Sequence, residues 1–413
     1  MNIFFSGIGG VGIGPLAQLA RDAGHKVLGS DAHESLTTQA LKEQSISVHI
    51  GQDPNWLEVQ HTLEPIDWFV YTAALSEDHP ELATAKRLGI KCTKRDELLQ
   101  HILTEKNLKL VAVSGTHGKT TTTGMLIWAF KELSIPVSYS IGTTINFGPS
   151  ARYVPGSDYF IYECDEFDRN FLHFHPFLSL ITSLGYDHPD TYPTKQEYQQ
   201  AFSDFINQSS HTIGWRHDLK QLPSPDQDKL WQLGDNEVAL ITLAGEHNRR
   251  NATLVLKSLE YLGLGHEPAL LESFPGTNRR FEKLADNLYS DYGHHPTEIA
   301  ATLQMARELS NNVVLVYQPH QNVRQHEIKN LYRNCFKDAN KIYWLPTYLS
   351  RENPDLPILS PAELTEDIVN KDTITVVDLD DHLWSEIQSH RQKGDLVLCM
   401  GAGSIDGWLR THL

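Results

Sequence analysis

Basic residues are in short supply. The 413-residue chain carries 35 Lys and Arg against 52 Asp and Glu, a formal net charge of −17. Such a chain lacks the basic field that draws in nucleic acid or an anionic membrane, so neither is expected as a partner. Anionic small molecules remain open, because a few local donors suffice for those. Cysteine is scarce as well. Cys92, Cys164, Cys335 and Cys399 lie far apart and form no CxxC, which argues against a disulfide scaffold or a cysteine zinc site and fits a reducing compartment. No apolar run approaches the ~18 residues a spanning helix needs. The start Met1-Asn2-Ile3-Phe4-Phe5 has no basic stretch before its apolar residues and runs straight into glycines. It reads as a first strand, not a signal peptide, and a cytoplasmic location is expected.

What is present is ample core, 40% hydrophobic residues with 21% charged, and a length suited to two or three domains. Short apolar runs (3–5, 26–28, 48–50, 68–71) alternate with helical patterns (16–23, 37–44), the mark of a parallel sheet with crossover helices. A second unit starts at Leu110-Val111-Ala112-Val113, with further strands expected at 159–163, 178–182 and 238–243 and a loop at 219–228. A third follows Phe274-Pro275-Gly276, with strands at 288–290, 313–317, 341–345 and 396–400. The reading is three α/β units, with boundaries near 105 and 272.

Two glycine loops carry the first chemistry. Gly7-Ile8-Gly9-Gly10-Val11-Gly12 matches G-x-G-x-x-G between strand and helix, with Asp31 ending the next strand. Alone it points to a nucleotide or diphosphate, NAD foremost; the plainer alternative is a turn packing strand on helix. Ser114-Gly115-Thr116-His117-Gly118-Lys119-Thr120-Thr121 also leaves a strand and opens a helix. Its backbone amides would hold phosphates, Lys119 would neutralise β/γ oxygens, and the Thr120 hydroxyl would ligate Mg²⁺. Two residues, not the usual four, separate its first glycine from Gly118-Lys119.

Acids and bases cluster around that loop's strand ends. Glu163-Cys164-Asp165-Glu166-Phe167-Asp168 and Tyr186-Asp187-His188 each follow a strand, where open α/β sheets place ligands. Either segment alone would be a solvated acidic loop; beside a phosphate loop, oxygen donors with an imidazole suit Mg²⁺. Arg279-Arg280-Phe281 opens the third unit, and arginine suits a transferring phosphoryl group. Asp291-Tyr292-Gly293-His294-His295-Pro296 precedes a helix expected to be capped by Thr297. Its twin histidines point apart and lack companions for zinc.

Taken in order, GIGGVG with Gly29-Ser30-Asp31, GTHGKTTT, ECDEFD, YDHPDTY, GEHNRRNA, TNRRFE, DYGHHPTEI, YQPHQNVR and LVLCMGAGSI span nearly the whole chain. That colinear set resembles the Mur ligases of peptidoglycan synthesis. The resemblance implies an α/β, three-domain architecture: a Rossmann-like UDP-sugar domain (1–105), a central P-loop ATPase-like domain (106–271) and a Rossmann-like C-terminal ligase domain (272–413). It reassigns the first glycine loop from NAD to a UDP diphosphate.

The implied reaction is ADP-forming ligation of an amino acid, L-alanine by the nearest likeness, to UDP-N-acetylmuramate. ATP phosphorylates the lactyl carboxylate, and the amine attacks the acyl phosphate. ATP and Mg²⁺ are the implied cofactors; no protein partner is implied. Carried over by position, Gly115, Thr116, His117, Gly118, Lys119, Thr120 and Thr121 hold ATP phosphates. Thr120, Glu163 and His188 hold the metal. Asn248 and Asn251 lie beside the nucleotide, Arg280 reaches the γ-phosphate, and Asp291 and Tyr292 serve the ribose and adenine. His294 and Arg324 bind the amino acid. Gly9, Gly10, Val11, Gly12, Ser30, Asp31, Thr72 and Ala73 bind the UDP-sugar. Lys119, Glu163, His188, Arg280, His294 and Arg324 form the implied catalytic set.

Three positions depart from the family pattern. About sixty residues separate His188 from Asn248, so a trimmed central domain is expected. Gln321 stands where some members have a second arginine, and Ser404 replaces an acid. The rival readings are a ligase that recycles a preformed tripeptide, a non-catalytic UDP-sugar-binding protein, and a nicotinamide oxidoreductase. The last leaves GTHGKTTT without a role.

Overall fold

Each strand that feeds a crossover helix returns parallel to its neighbour, so the alternating pattern builds parallel sheets. The computed structural model describes residues 1–413 except Val11, Ala73, Ala74, Pro189, Asp190, His266 and Arg351. The first sheet holds β1 (Asn2–Ser6), β2 (Lys26–Asp31), β3 (Ser47–Ile50), β4 (Trp68–Tyr71) and β5 (Lys91–Lys94). Its order is β3-β2-β1-β4-β5, all parallel. β1 is buried throughout because helices cover both faces. Ile3 and Phe5 join Ala17 and Ala20 on one side, and Phe4 joins Leu57 and Leu82 on the other. The strand order reverses beside β1, which opens a crevice at the carboxyl ends of β1 and β4.

The second sheet holds β6 (Lys109–Ser114), β7 (Ser138–Ser140), β8 (Ala151–Arg152), β9 (Tyr159–Glu163), β10 (Leu178–Ile181), β11 (Thr212–Trp215) and β12 (Leu230–Leu233). The order is β12-β11-β10-β6-β9-β7-β8, with only the β7–β8 pair antiparallel. One hydrophobic cluster runs from the first sheet's helices (Leu16, Leu99) to Phe160 of the second sheet and Phe171 in the helical turn after β9. The third sheet holds β13 (Glu282–Ala285), β14 (Leu288–Asp291), β15 (Val313–Tyr317), β16 (Lys341–Trp344), β17 (Ile374–Val376) and β18 (Leu396–Met400) in the order β13-β14-β18-β15-β16-β17. Only β13 is antiparallel to its neighbour. Two compact units result: Met1–Glu237 with Leu254–Leu271, and Val238–Thr253 with Glu272–Leu413. Among the described residues no helix is long and apolar enough to cross a membrane.

The three α/β units expected from the sequence are present as three sheets. Two local expectations fail. Residues 238–243 are not a strand: they pair with no sheet, and Leu240 is exposed. The segment is tied instead by Ala239 N–H to Thr253 Oγ1 (2.9 Å). The edge strand at that end is β12, a short, mostly half-buried strand that carries little pattern. The helix Pro296–Leu309 is capped by His295, whose ring accepts from Thr297 N–H, rather than by Thr297.

Candidate functional site

The phosphate loop leaves central strand β6 and enters the helix Lys119–Glu132. Gly118 caps that helix at φ 89° and Gly115 sits at φ 131°, both in the left-handed region that favours glycine. A Cβ on Gly115 would also collide with Thr182 Oγ1 and lie 2.8 Å from the Ser183 carbonyl oxygen. Residues leaving β10 brace the loop. Thr116 N–H donates to Ser183 O (3.0 Å), His117 N–H to Ser183 Oγ (2.9 Å), and Thr116 Oγ1 to Gly185 O (2.7 Å). Thr121 is half-buried in the first turn of the helix.

Lys119 Nζ donates to Gly115 O (2.6 Å) and to Glu166 Oε2 (2.7 Å), with Asp165 at 3.8 Å. Burial opposes its charge, but Glu166 and Asp165 outweigh burial and hold its pKa above the ordinary lysine value. Glu166 is fully buried, which pushes its carboxyl up to about 8 against the pull of Lys119. Its Oε1 has no hydrogen-bond partner and lies 3.8 Å from His188 Nε2. Ligand atoms of Asp165, Glu166 and His188 all lie within 4.8 Å of one another. Hard oxygens, an imidazole and an orphaned buried carboxylate oxygen together fit a divalent cation.

The sequence reading named Thr120, Glu163 and His188 for the metal. Thr120 Oγ1 and Glu163 Oε1 do meet (2.6 Å), and Glu163 Oε2 takes Gly142 N–H (2.7 Å). His188 lies with Asp165 and Glu166, members of the acidic run already expected near Mg²⁺ but not named individually as ligands. The helical turn after Glu166 is broken by Asp168 (φ 53°) and Arg169 (φ 57°), and Phe167 packs edge-on against the His188 ring at 5.3 Å.

In the first glycine loop, Gly7 turns at φ 77° against Thr72 Cγ2. Gly7 and Ile8 N–H both donate to Ser30 O (2.9 Å each), and Gly9 N–H donates to Asp31 Oδ2 (2.8 Å). Asp31 therefore braces the loop. Ser30 Oγ points inward to the buried Glu81 Oε2 (2.8 Å), which also takes Ser6 Oγ–H (2.6 Å). Glu81 was missed from the sequence because nothing in the run Pro80–Arg87 marks its carboxylate as buried. Gly10 and Gly12 are exposed at the carboxyl edge. Val11 and Ala73, both expected to touch the UDP-sugar, lie outside the described residues.

The second unit has its own polar cluster. Asp291 ends β14 and accepts Phe281 N–H and Gly293 N–H, one on each oxygen (2.7 Å each). Burial raises its pKa to about 6. Both oxygens hold backbone, so Asp291 shapes the Arg279–Phe281 turn. Arg279 and Arg280 lie 4.7 and 5.3 Å from the Tyr292 ring centroid. His294 Nδ1 faces Tyr292 O (3.2 Å) and its Nε2 meets Arg324 Nη1. A proton on Nδ1 leaves the Nε2 lone pair for the guanidinium. Burial, reinforced by Arg324 and opposed by Glu298, lowers the His294 pKa to about 4.

Asn248 and the buried Asn251 are one turn apart on the helix Glu246–Leu262, and Asn248 Nδ2 donates to Ala244 O (3.0 Å). The Arg249–Glu308 fork (2.9 Å twice) anchors that turn, a pairing the sequence reading did not foresee. Of the other departures, Gln321 sits at φ 59° before the helix Asn322–Ile328, and Ser404 Oγ accepts from Gln318 Nε2 (3.1 Å).

Family models match along the chain: "Mur ligase family, catalytic domain" at 2–107, "Mur ligase middle domain" at 113–221, and "Mur ligase, glutamate ligase domain" at 279–403. The UDP-N-acetylmuramate–L-alanine ligase of Carboxydothermus hydrogenoformans is 32% identical over 98% of this chain and 95% of its own. The solved UDP-N-acetylmuramate-alanine ligase of Thermotoga maritima shares the fold, with TM-score 0.76 at 23% identity over 100% of this chain and 98% of that one. The murein peptide ligase of Psychrobacter arcticus also shares it, with TM-score 0.63 at 22% identity and the same coverage. With three family models in order and a near-full-length relative at this identity, the chain belongs to the Mur ligase family.

Proposed function

We propose that the protein joins L-alanine to UDP-N-acetylmuramate with ATP, forming ADP and phosphate, in the cytoplasmic stage of peptidoglycan synthesis. The observation that carries this is the convergence, at the carboxyl ends of β6, β9 and β10, of Lys119, the Thr120–Glu163 pair and the Asp165–Glu166–His188 cluster. That is a phosphoryl-transfer centre, and the likeness to alanine-adding ligases over the whole chain supplies the acceptor. Three domains, 1–105, 106–271 and 272–413, divide the work.

The glycine loop at Gly7–Gly12, with its braces Asp31 and Ser30, seats the UDP diphosphate, and Thr72 closes one side. Loop amides from Gly115 to Thr121 hold the ATP phosphates. Lys119 exchanges Glu166 for phosphate oxygens. Asp165, Glu166 and His188, with Thr120 and Glu163, would hold Mg²⁺, which when bound neutralises phosphate charge. The substrate carboxylate attacks the γ-phosphorus and ADP leaves; a carboxylate is too poor an electrophile to react with an amine directly.

By the family resemblance, Arg280 serves the transferring group, and Asn248, Asn251 and Tyr292 serve the nucleotide. Arg324, oriented by neutral His294, binds the amino acid's carboxylate. The uncharged amine then attacks the acyl carbon, the C–N bond forms, and phosphate departs. An ADP-release assay with UDP-N-acetylmuramate and a panel of L-alanine, L-serine, glycine and tripeptide tests the assignment. L-alanine is expected to give the highest kcat/KM; turnover with tripeptide and none with L-alanine would overturn it.

A further inference from the structure

Arg95 has no part in the functions assigned above, yet it stands against the first glycine loop. It follows β5 and opens the helix Arg95–Glu105. Since β1 and β5 are parallel strands of one sheet, Arg95 lies on the same carboxyl edge as Gly7–Gly12. The approach is close: a Cβ on Gly12 would collide with Arg95 Nη1. In a G-x-G-x-x-G loop the third glycine ordinarily lets helix pack on strand. Here its missing side chain also makes room for a guanidinium.

The guanidinium is only partly neutralised. Its Nε lies 3.4 Å from Asp96 Oδ1, and no hydrogen bond joins Nη1 or Nη2 to any described residue. Asp165 exerts a weaker pull. The side chain keeps 30% of its surface exposed and borders a small cavity of about 20 Å³ with Gly12, Leu16, Leu19, Leu99, Ser140 and Tyr162. Ser140 and Tyr162 belong to β7 and β9, so Arg95 stands where the first sheet's glycine loop meets the second sheet. Two free, coplanar N–H donors beside an exposed glycine turn match the oxygens of a phosphate group, which guanidinium grips as a fork.

We infer that Arg95 is a substrate-binding residue that grips the diphosphate of the nucleotide-sugar on the glycine loop and holds the sugar end toward the second domain. This rests on the UDP-sugar reading above. Calorimetry on the full chain with UDP and with uridine tests it, for wild type, Arg95→Gln and Arg95→Lys. The glutamine variant keeps a polar side chain of moderate length and so spares the fold.

Arg95→Gln is expected to bind UDP at least tenfold more weakly and uridine as wild type does. In turnover, KM for UDP-N-acetylmuramate should rise by a similar factor while KM for ATP holds, and Arg95→Lys should recover part of the loss. Equal UDP affinity in wild type and Arg95→Gln would overturn the assignment. So would equal weakening of UDP and uridine, which marks a structural residue. Wild-type protein that binds neither would overturn the UDP-sugar reading and this assignment with it.

Discussion

Removing the Lys119 ammonium should destabilise the protein chiefly through what it leaves behind. Lys119→Met strands Glu166, a fully buried carboxylate whose Oε2 loses its 2.7 Å partner and whose Oε1 already has none. Breaking a buried pair from one side costs about 3–5 kcal/mol. The carboxyl's raised pKa lets it take a proton, which limits the cost to the lower end of that range. Glu166→Gln is milder, since Lys119 keeps the Gly115 carbonyl at 2.6 Å and Asp165 at 3.8 Å. The double variant leaves no buried charge unpaired at this position.

Its loss should therefore fall short of the sum of the single losses by about 2 kcal/mol. Scanning calorimetry on all four proteins reads this in the transition that contains the second sheet, where 1 kcal/mol is about 2–4 °C. Additivity within about 0.5 kcal/mol would refute the claim that the pair is buried and coupled. Lys119→Met should also abolish ADP release while leaving UDP affinity intact.

Two further outcomes follow from the same geometry. Gly115→Ala forces a Cβ into the left-handed region and onto Thr182 Oγ1; it should melt lower by calorimetry and lose at least tenfold in ATP affinity, and wild-type affinity would contradict the loop geometry. His294, with its folded pKa near 4, stays neutral where the unfolded chain's histidines take up protons near 6.5. The second unit should thus lose up to about 3 kcal/mol as pH falls from 6.5 to 4. His294→Gln should flatten that slope in calorimetric scans, and an unchanged slope would show that the imidazole is not buried neutral.

The phosphate loop was legible because its glycines, lysine and threonine are contiguous and the flanking apolar run and helical pattern give it context. The parallel pairing of the first sheet also followed from strand–helix alternation, whereas its strand order is fixed by tertiary packing. What was hidden depended on tertiary burial. Glu81 looks like an ordinary surface acid in sequence, and the run 163–168 suggests a metal site without showing that Glu166 is its buried member; each is fully buried and organises its loop. The run Val238–Leu243 has strand-like residues, but periodicity cannot show whether a sheet edge is available. β12 was missed because a four-residue, half-buried edge strand carries little pattern.

The central claim is that the UDP-sugar carboxylate becomes an acyl phosphate, and oxygen transfer tests it most directly. UDP-N-acetylmuramate labelled with ¹⁸O in the lactyl carboxylate, turned over with ATP and L-alanine, should deliver one labelled oxygen to inorganic phosphate, read by mass spectrometry. Phosphate free of label alongside amide product would contradict phosphorylation of that carboxylate.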